Sequence, residues 1–183
     1  MKQKSFIAIL LLLILGVVTR FLPHPANFTA IGAIALFGGL YLPKKWAILA
    51  PLAIMLTSDI FIGFYSIQIM TSVYLGFVII GLIGLKVRKN KKFSTVLGGT
   101  LLGSILFFLL TNLAVWMFGT MYTHNLSGLM QSYYMAIPFF KNSLMANLIY
   151  TGILVGSYEF ILYKQKNYLL IINQFLNSTL FHS

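Results

Sequence analysis

The chain has 183 residues, 59% of them hydrophobic and only 8% charged, with a mean hydropathy of +0.91. A soluble domain of this size has too little interior for so much apolar surface, so lipid is the expected solvent for much of it and one membrane bundle the expected scale. The formal net charge of +11 falls in short clusters between apolar runs, a membrane-topology pattern that argues against a nucleic-acid partner, and the lack of Cys excludes disulfides, thiolate catalysis and thiolate metal sites.

The N-terminal MKQK and the apolar run Phe6–Val18 have the outline of a secretory signal. No small-residue cleavage motif follows; the run ends in Thr19-Arg20-Phe21, which predicts a retained first helix. Six apolar segments are predicted, at roughly 5–22, 28–42, 46–64, 70–86, 95–118 and 142–163, giving an all-α integral membrane protein with a six-helix bundle over 1–166. The second segment is short for a perpendicular span, as expected of a helix that starts below a membrane surface or packs inside the bundle. Turn chemistry marks the breaks at Pro23 and Pro25, Pro43, Gly63, Asn90 and Pro138.

Between the first two segments lies a polar elbow containing Arg20, Pro23, His24, Pro25 and Asn27, followed by Gly32, Ala35 and Gly39 at helical spacing. Lys and Arg set the orientation. Lys2 and Lys4 precede the first segment, Lys44 and Lys45 lie between the second and third, Lys86–Lys92 between the fourth and fifth, and Lys164 and Lys166 after the sixth. The alternate connections hold only Arg20 and Lys141, so both termini are expected in the cytoplasm, with the elbow, the Phe64–Ile69 turn and a long loop Gly119–Lys141 facing outward. The Lys86–Lys92 cluster is read first as a topology signal and second as a site for anionic lipid. Gly99/Gly103 and Gly152/Gly156 are read as helix-packing pairs. Residues 167–183 place Leu169, Ile172, Leu176 and Leu180 on one face, predicting an amphipathic cytoplasmic tail.

The rare polar residues gather toward the outer side. Asp59, late in the third segment, is costly in hydrocarbon without a partner, and Arg20 is its natural counter-ion; the two form either a structural clamp or contacts to a solute. His24 and His124 lie in outward loops with no carboxylate or third His at ligand spacing, so no metal site is expected. Asn112 and Trp116 share a helix face; the Met121–Tyr134 stretch with Tyr122 and His124 is read either as aromatic anchors at the membrane border or as a lid over a pocket that Asn147 and Tyr150 complete. Catalytic motifs, acid–base carboxylate pairs and phosphate loops are missing from the sequence, so neither an enzyme nor a cofactor is expected, and uphill transport would take its energy from a partner or an ion.

The run Thr19–Thr29 (TRFLPHPANFT), then Ala35–Gly39, then Thr57-Ser58-Asp59 with Gly63-Phe64 resembles a family of small six-helix bacterial membrane proteins labelled as transport proteins of unknown function. These are similar in turn to the substrate-binding S-components of energy-coupling factor vitamin transporters. The resemblance covers nearly the whole chain. It implies an outward-opening solute pocket under the first, third and fifth loops, where the polar residues read from position give the candidate lining: Arg20, His24, Asn27, Asp59, Asn112, Trp116, Tyr122, His124, Asn147 and Tyr150. It also implies the bacterial cytoplasmic membrane as location and an energising ATPase module with a transmembrane coupling subunit as partner. Two departures stand out. S-components often carry AxxxA on the first helix for docking, whereas here Ala8 is followed four residues on by Leu12. Some solitary relatives bind cobalamin through a Cys, a contact that here would fall to His24, His124 or another donor. The expected function is a micronutrient-capturing membrane subunit; the alternative is an assembly protein that docks another membrane protein through its outer loops.

Overall fold

A computed structural model describes the backbone of residues 3–180 and the side chains of residue 7 and residues 9–168. Six helices make up the described chain, with no strand: α1 (Gln3–Phe21), α2 (Ile31–Tyr41), α3 (Lys44–Ile62), α4 (Ile67–Val87), α5 (Phe93–Phe118) and α6 (Leu126–Leu180). Four are long and apolar enough to cross a membrane, namely α3, α4, α5 and the Leu126–Tyr168 part of α6. Their burial pattern is inverted relative to a water-soluble helix. On α5 the buried side carries Gly99, Thr100, Gly103 and Ser104, while Leu97, Leu101, Ile105, Leu109 and Leu113 form an exposed stripe at four-residue spacing. Small and polar groups inside with large apolar ones outside is the arrangement that hydrocarbon favours.

The segments appear where hydropathy put them, with one correction. The long loop expected over Gly119–Lys141 exists only as far as Asn125; α6 starts at Leu126 and runs without interruption through Pro138 and beyond Lys166. Gly128, Ser132 and Ala136 recur every four residues and are buried, so the stretch has a small-residue packing face that its Tyr, Gln and Asn residues obscure. Pro138 cannot donate to the Tyr134 carbonyl. Both residues lie on the exposed side, where the ring causes no clash with a neighbouring helix. The amphipathic face expected over 169–183 lies outside the described side chains.

The short helix α2 is the hub. It has 11 residues, about 16 Å at 1.5 Å per residue, against a hydrocarbon core of about 30 Å. Every residue from Ile31 to Leu40 is buried, and the helix touches all five others. Such enclosure needs close backbone approach. A Cβ on Gly39 would lie 2.5 Å from the Gly81 carbonyl oxygen and 2.6 Å from Gly84 Cα, so α2 and α4 meet backbone to backbone. Pro51, inside α3, leaves the Ala47 carbonyl without its helical donor, and Gly81 covers that oxygen at a distance no Cβ would permit. Gly99 and Gly103 pack against Ile83, Val87 and Ile80 as expected, whereas Gly152 and Gly156 face open space.

Short connections make successive helices antiparallel, so the elbow (residues 22–30), the 63–66 turn and the 119–125 connection share one end. Arg88, at the opposite, lysine-rich end, is more than a topology signal. Its guanidinium donates to Gly39 O at 2.6 Å, to Gly38 O at 3.3 Å and to Leu42 O, placing a cation on the negative C-terminal end of α2.

Candidate functional site

A cavity of about 410 Å³ opens at the elbow end and reaches the middle of the bundle. Its floor and one side belong to Arg20, Thr29 and Gly32; the other side is formed by α5 and α6 through Thr111, Asn112, Ser143 and Asn147. Phe77, Phe107, Phe108 and Phe140 supply aromatic walls, with ring centroids 4.8 Å apart for Phe77–Phe107 and 4.7 Å for Phe108–Phe140.

Arg20 ends α1 and turns under the elbow. Its Nη1 donates to Asp59 Oδ1 at 2.6 Å and to Ser58 Oγ, and approaches the Met55 carbonyl at 3.4 Å. The Tyr74 hydroxyl donates to Asp59 Oδ2 at 2.8 Å. Asp59 is 0% exposed and has a charged or hydroxyl donor on each oxygen, so it is the clamp that sets Arg20 rather than part of the cavity wall. The pair is therefore a structural clamp, and Arg20 but not Asp59 also lines the cavity.

The elbow is held from three sides. Phe28 N donates to Pro25 O at 3.0 Å across a tight turn in which Asn27 has φ of 63°. Among non-glycine residues asparagine is one of those that tolerate that left-handed backbone. His24 Nδ1 donates to Pro25 O at 2.7 Å, and Asn142 Nδ2 reaches across from α6 to Ala26 O at 3.0 Å. Ala30 N donates to Thr19 Oγ1 at 3.4 Å, so the start of α2, which has no side-chain cap, is tied to α1 beside the cavity.

The deep end is set by a relay. Asn147, 9% exposed, donates through Nδ2 to Ser104 Oγ at 2.9 Å, and Ser104 Oγ donates to Thr100 O at 2.9 Å. Since Thr100 O can only accept, the Ser104 proton points to it and Asn147 must present nitrogen to Ser104. Its Oδ1 lies over Gly32, 2.3 Å from where a Cβ on that residue would be. Asn112 Nδ2 donates to Phe108 O at 2.8 Å, which orients its amide in the same way.

Of the ten residues that sequence singled out, Arg20, His24, Asn27, Asn112 and Asn147 line this one cavity, and Asp59 stands directly behind it. The other four are elsewhere. Trp116 donates from Nε1 to Thr123 O at 3.0 Å, and His124 packs edge-on to its ring with Nε2 3.2 Å from Gly119 O; together they fasten the 119–125 connection. Tyr122 is half-buried in that connection, and Tyr150 stacks on Phe28 and the core. Sequence reasoning missed Thr29, Gly32, Tyr65 and Ser143. The spacing of Ser143 and Asn147, four apart on one helix face, was the available signal. Tyr65, in the 63–66 turn, has its hydroxyl pushed above the usual tyrosine range, first by burial and then by the nearby Asp59 charge, so it keeps its proton as a donor.

The described residues thus form an all-helical bundle, with four helices long and apolar enough to cross a membrane, around a polar, aromatic-walled cavity. The model of a family of unknown function, DUF6580, matches residues 1–171, and the chain belongs to that family. No curated protein and no solved structure matches it.

Proposed function

We propose that the protein is the solute-binding subunit of a membrane uptake system, holding a vitamin or vitamin precursor in the elbow-end cavity. The observation that carries this is the cavity itself. It brings Arg20, Asn112 and Asn147 together around one opening in a largely apolar chain, where polar groups are costly unless they serve a ligand or one another. The elbow that forms its mouth is also the stretch that carries the resemblance to transport proteins and, through them, to S-components. A volume of about 410 Å³ suits a compact solute better than a corrinoid macrocycle. In this reading the protein spans the bacterial cytoplasmic membrane with both termini inside and works with an energising ATPase module.

A thermal-shift screen of the detergent-purified protein against vitamins and their precursors tests it. A solute at a hundredfold excess over its dissociation constant adds about 2.7 kcal/mol to the folded state. A hit that Asn147→Ala weakens supports the reading; silence across the panel from a folded protein sinks it. The orientation has its own test, because the sequence has no Cys. Single cysteines placed at Ser66 and at Asn90 should differ in labelling of intact cells by an impermeant maleimide, with Ser66→Cys modified and Asn90→Cys protected. Equal labelling, or the reverse, would overturn the placement.

The second reading, an assembly protein, is expected from the sequence to dock through its outer loops; the observation that favours docking lies instead at the lysine-rich end, in a trough between α5 and α6. There Gly152 and Gly156 are uncovered, and the buried Thr151 hydroxyl has no hydrogen-bond partner among the described residues. A silent solute screen favours that reading.

A further inference from the structure

We infer that the solute carries a carboxylate at one end and an N–H donor edge at the other. The inference rests on the solute-binding reading and narrows it to a chemical class. It follows from which hydrogen-bonding groups around the cavity are already engaged.

Arg20 is the one side chain in the wall with a permanent charge, and no carboxylate lines the cavity. The clamp to Asp59, Ser58 and Met55 uses Nη1 alone. Nε and Nη2, the edge that receives a carboxylate in two parallel hydrogen bonds, have no partner among the described residues. Thr29 and Gly32 bring the uncapped start of α2 to the same side, adding the positive end of its dipole. A cationic solute finds no counter-ion here, since both Asp59 oxygens are engaged and the residue is fully buried. A phosphate dianion fits less well than a carboxylate, because Asp59 already offsets the single guanidinium and no second Lys or Arg lines the wall.

The opposite wall has the reverse polarity. Thr111 Oγ1 donates to Phe107 O at 2.9 Å and Ser143 Oγ donates to Phe140 O at 3.0 Å, so neither hydroxyl has a proton left for a ligand. Asn112 and Asn147 both turn Nδ2 to the protein, and their Oδ1 atoms accept nothing from the described residues. Each amide keeps one further N–H, so α5 and α6 offer a ligand four side-chain acceptor oxygens against at most two N–H donors. The phenylalanine rings of α4, α5 and α6 line the same cavity in two close pairs, a surface that suits a flat body.

The test is isothermal titration of the detergent-purified protein with matched acid and neutral compounds: nicotinate and nicotinamide, biotin and biotinamide, pantothenate and pantothenol, with thiamine as the cation. In at least one pair the acid should bind roughly 10–100-fold tighter than its neutral partner, the difference expected of a charge-assisted pair. That preference should vanish in the double variant R20Q/D59N, which removes both charges together and strands neither. Arg20→Lys keeps the charge beside Asp59 but loses the fork, and should narrow the ratio of acid to neutral affinity; it carries the test if the double variant does not fold. A neutral compound or thiamine binding as tightly as the acids, or an acid preference that survives R20Q/D59N, overturns the carboxylate inference and leaves solute binding standing. Absence of binding by every compound to a folded protein overturns both.

Discussion

Asp59→Ala is expected to destabilise the protein by about 3–5 kcal/mol, the usual cost of removing one partner from a buried ion pair. The carboxylate is 0% exposed and takes donors from Arg20 at 2.6 Å and Tyr74 at 2.8 Å. Deleting it strands a guanidinium whose side chain is only 15% exposed, together with a phenol that loses its acceptor. The cost lies mainly in the stranded charge and not in the lost attraction, which fixes the second half of the prediction. The double variant R20Q/D59N should recover most of the stability lost in Asp59→Ala, because an amide pair needs no counter-charge in a low-dielectric interior. Melting temperatures of the purified single and double variants decide it. If the double variant is as unstable as the sum of Arg20→Gln and Asp59→Asn, the two side chains act independently and the clamp is misread.

This pair shows what was legible in the sequence. Two carboxylates in the whole chain, one of them deep in an apolar run, force a search for a counter-ion, and only Arg20 lay at the same depth. The same scarcity argument located the elbow, and half of the ten residues singled out from the sequence line the cavity. It failed where amphipathic aromatics were concerned. Trp116, Tyr122 and His124 look like pocket residues by type, yet an indole or imidazole N–H is satisfied equally by a nearby carbonyl, and the 119–125 connection supplies Thr123 O and Gly119 O. The hydrophobic period placed the helices well but read α6 as a loop over its first turns, because polar-tipped side chains hid the Gly128, Ser132, Ala136 spacing. The hub role of α2 was only half visible. Gly32 and Gly39 announced close packing, but their partners, Asn147 and the Gly81–Gly84 turn of α4, lie far along the chain, where only the folded structure pairs them.

Gly32→Ala should lower solute affinity on the order of 10–100-fold while the helix itself tolerates alanine well. The new Cβ falls 2.3 Å from Asn147 Oδ1 and 2.9 Å from its Nδ2, so the amide has to leave its niche. Moving it breaks the bond to Ser104, whose other bond to Thr100 O leaves no alternative orientation, and removes the deepest acceptor from the cavity. Asn147→Ala removes the same acceptor but leaves room for the methyl group. Solute affinity in G32A/N147A should therefore be no lower than in Asn147→Ala alone, and the stability penalty of Gly32→Ala should largely disappear in the double variant, a coupling of about 0.5–3 kcal/mol. Titration and melting of the four proteins with one solute measure both couplings. Additive losses would mean that Gly32 acts on the bundle at large and not through the asparagine above it. Complete coupling would establish that a missing side chain on the hub helix is what lets the cavity reach the middle of the bundle.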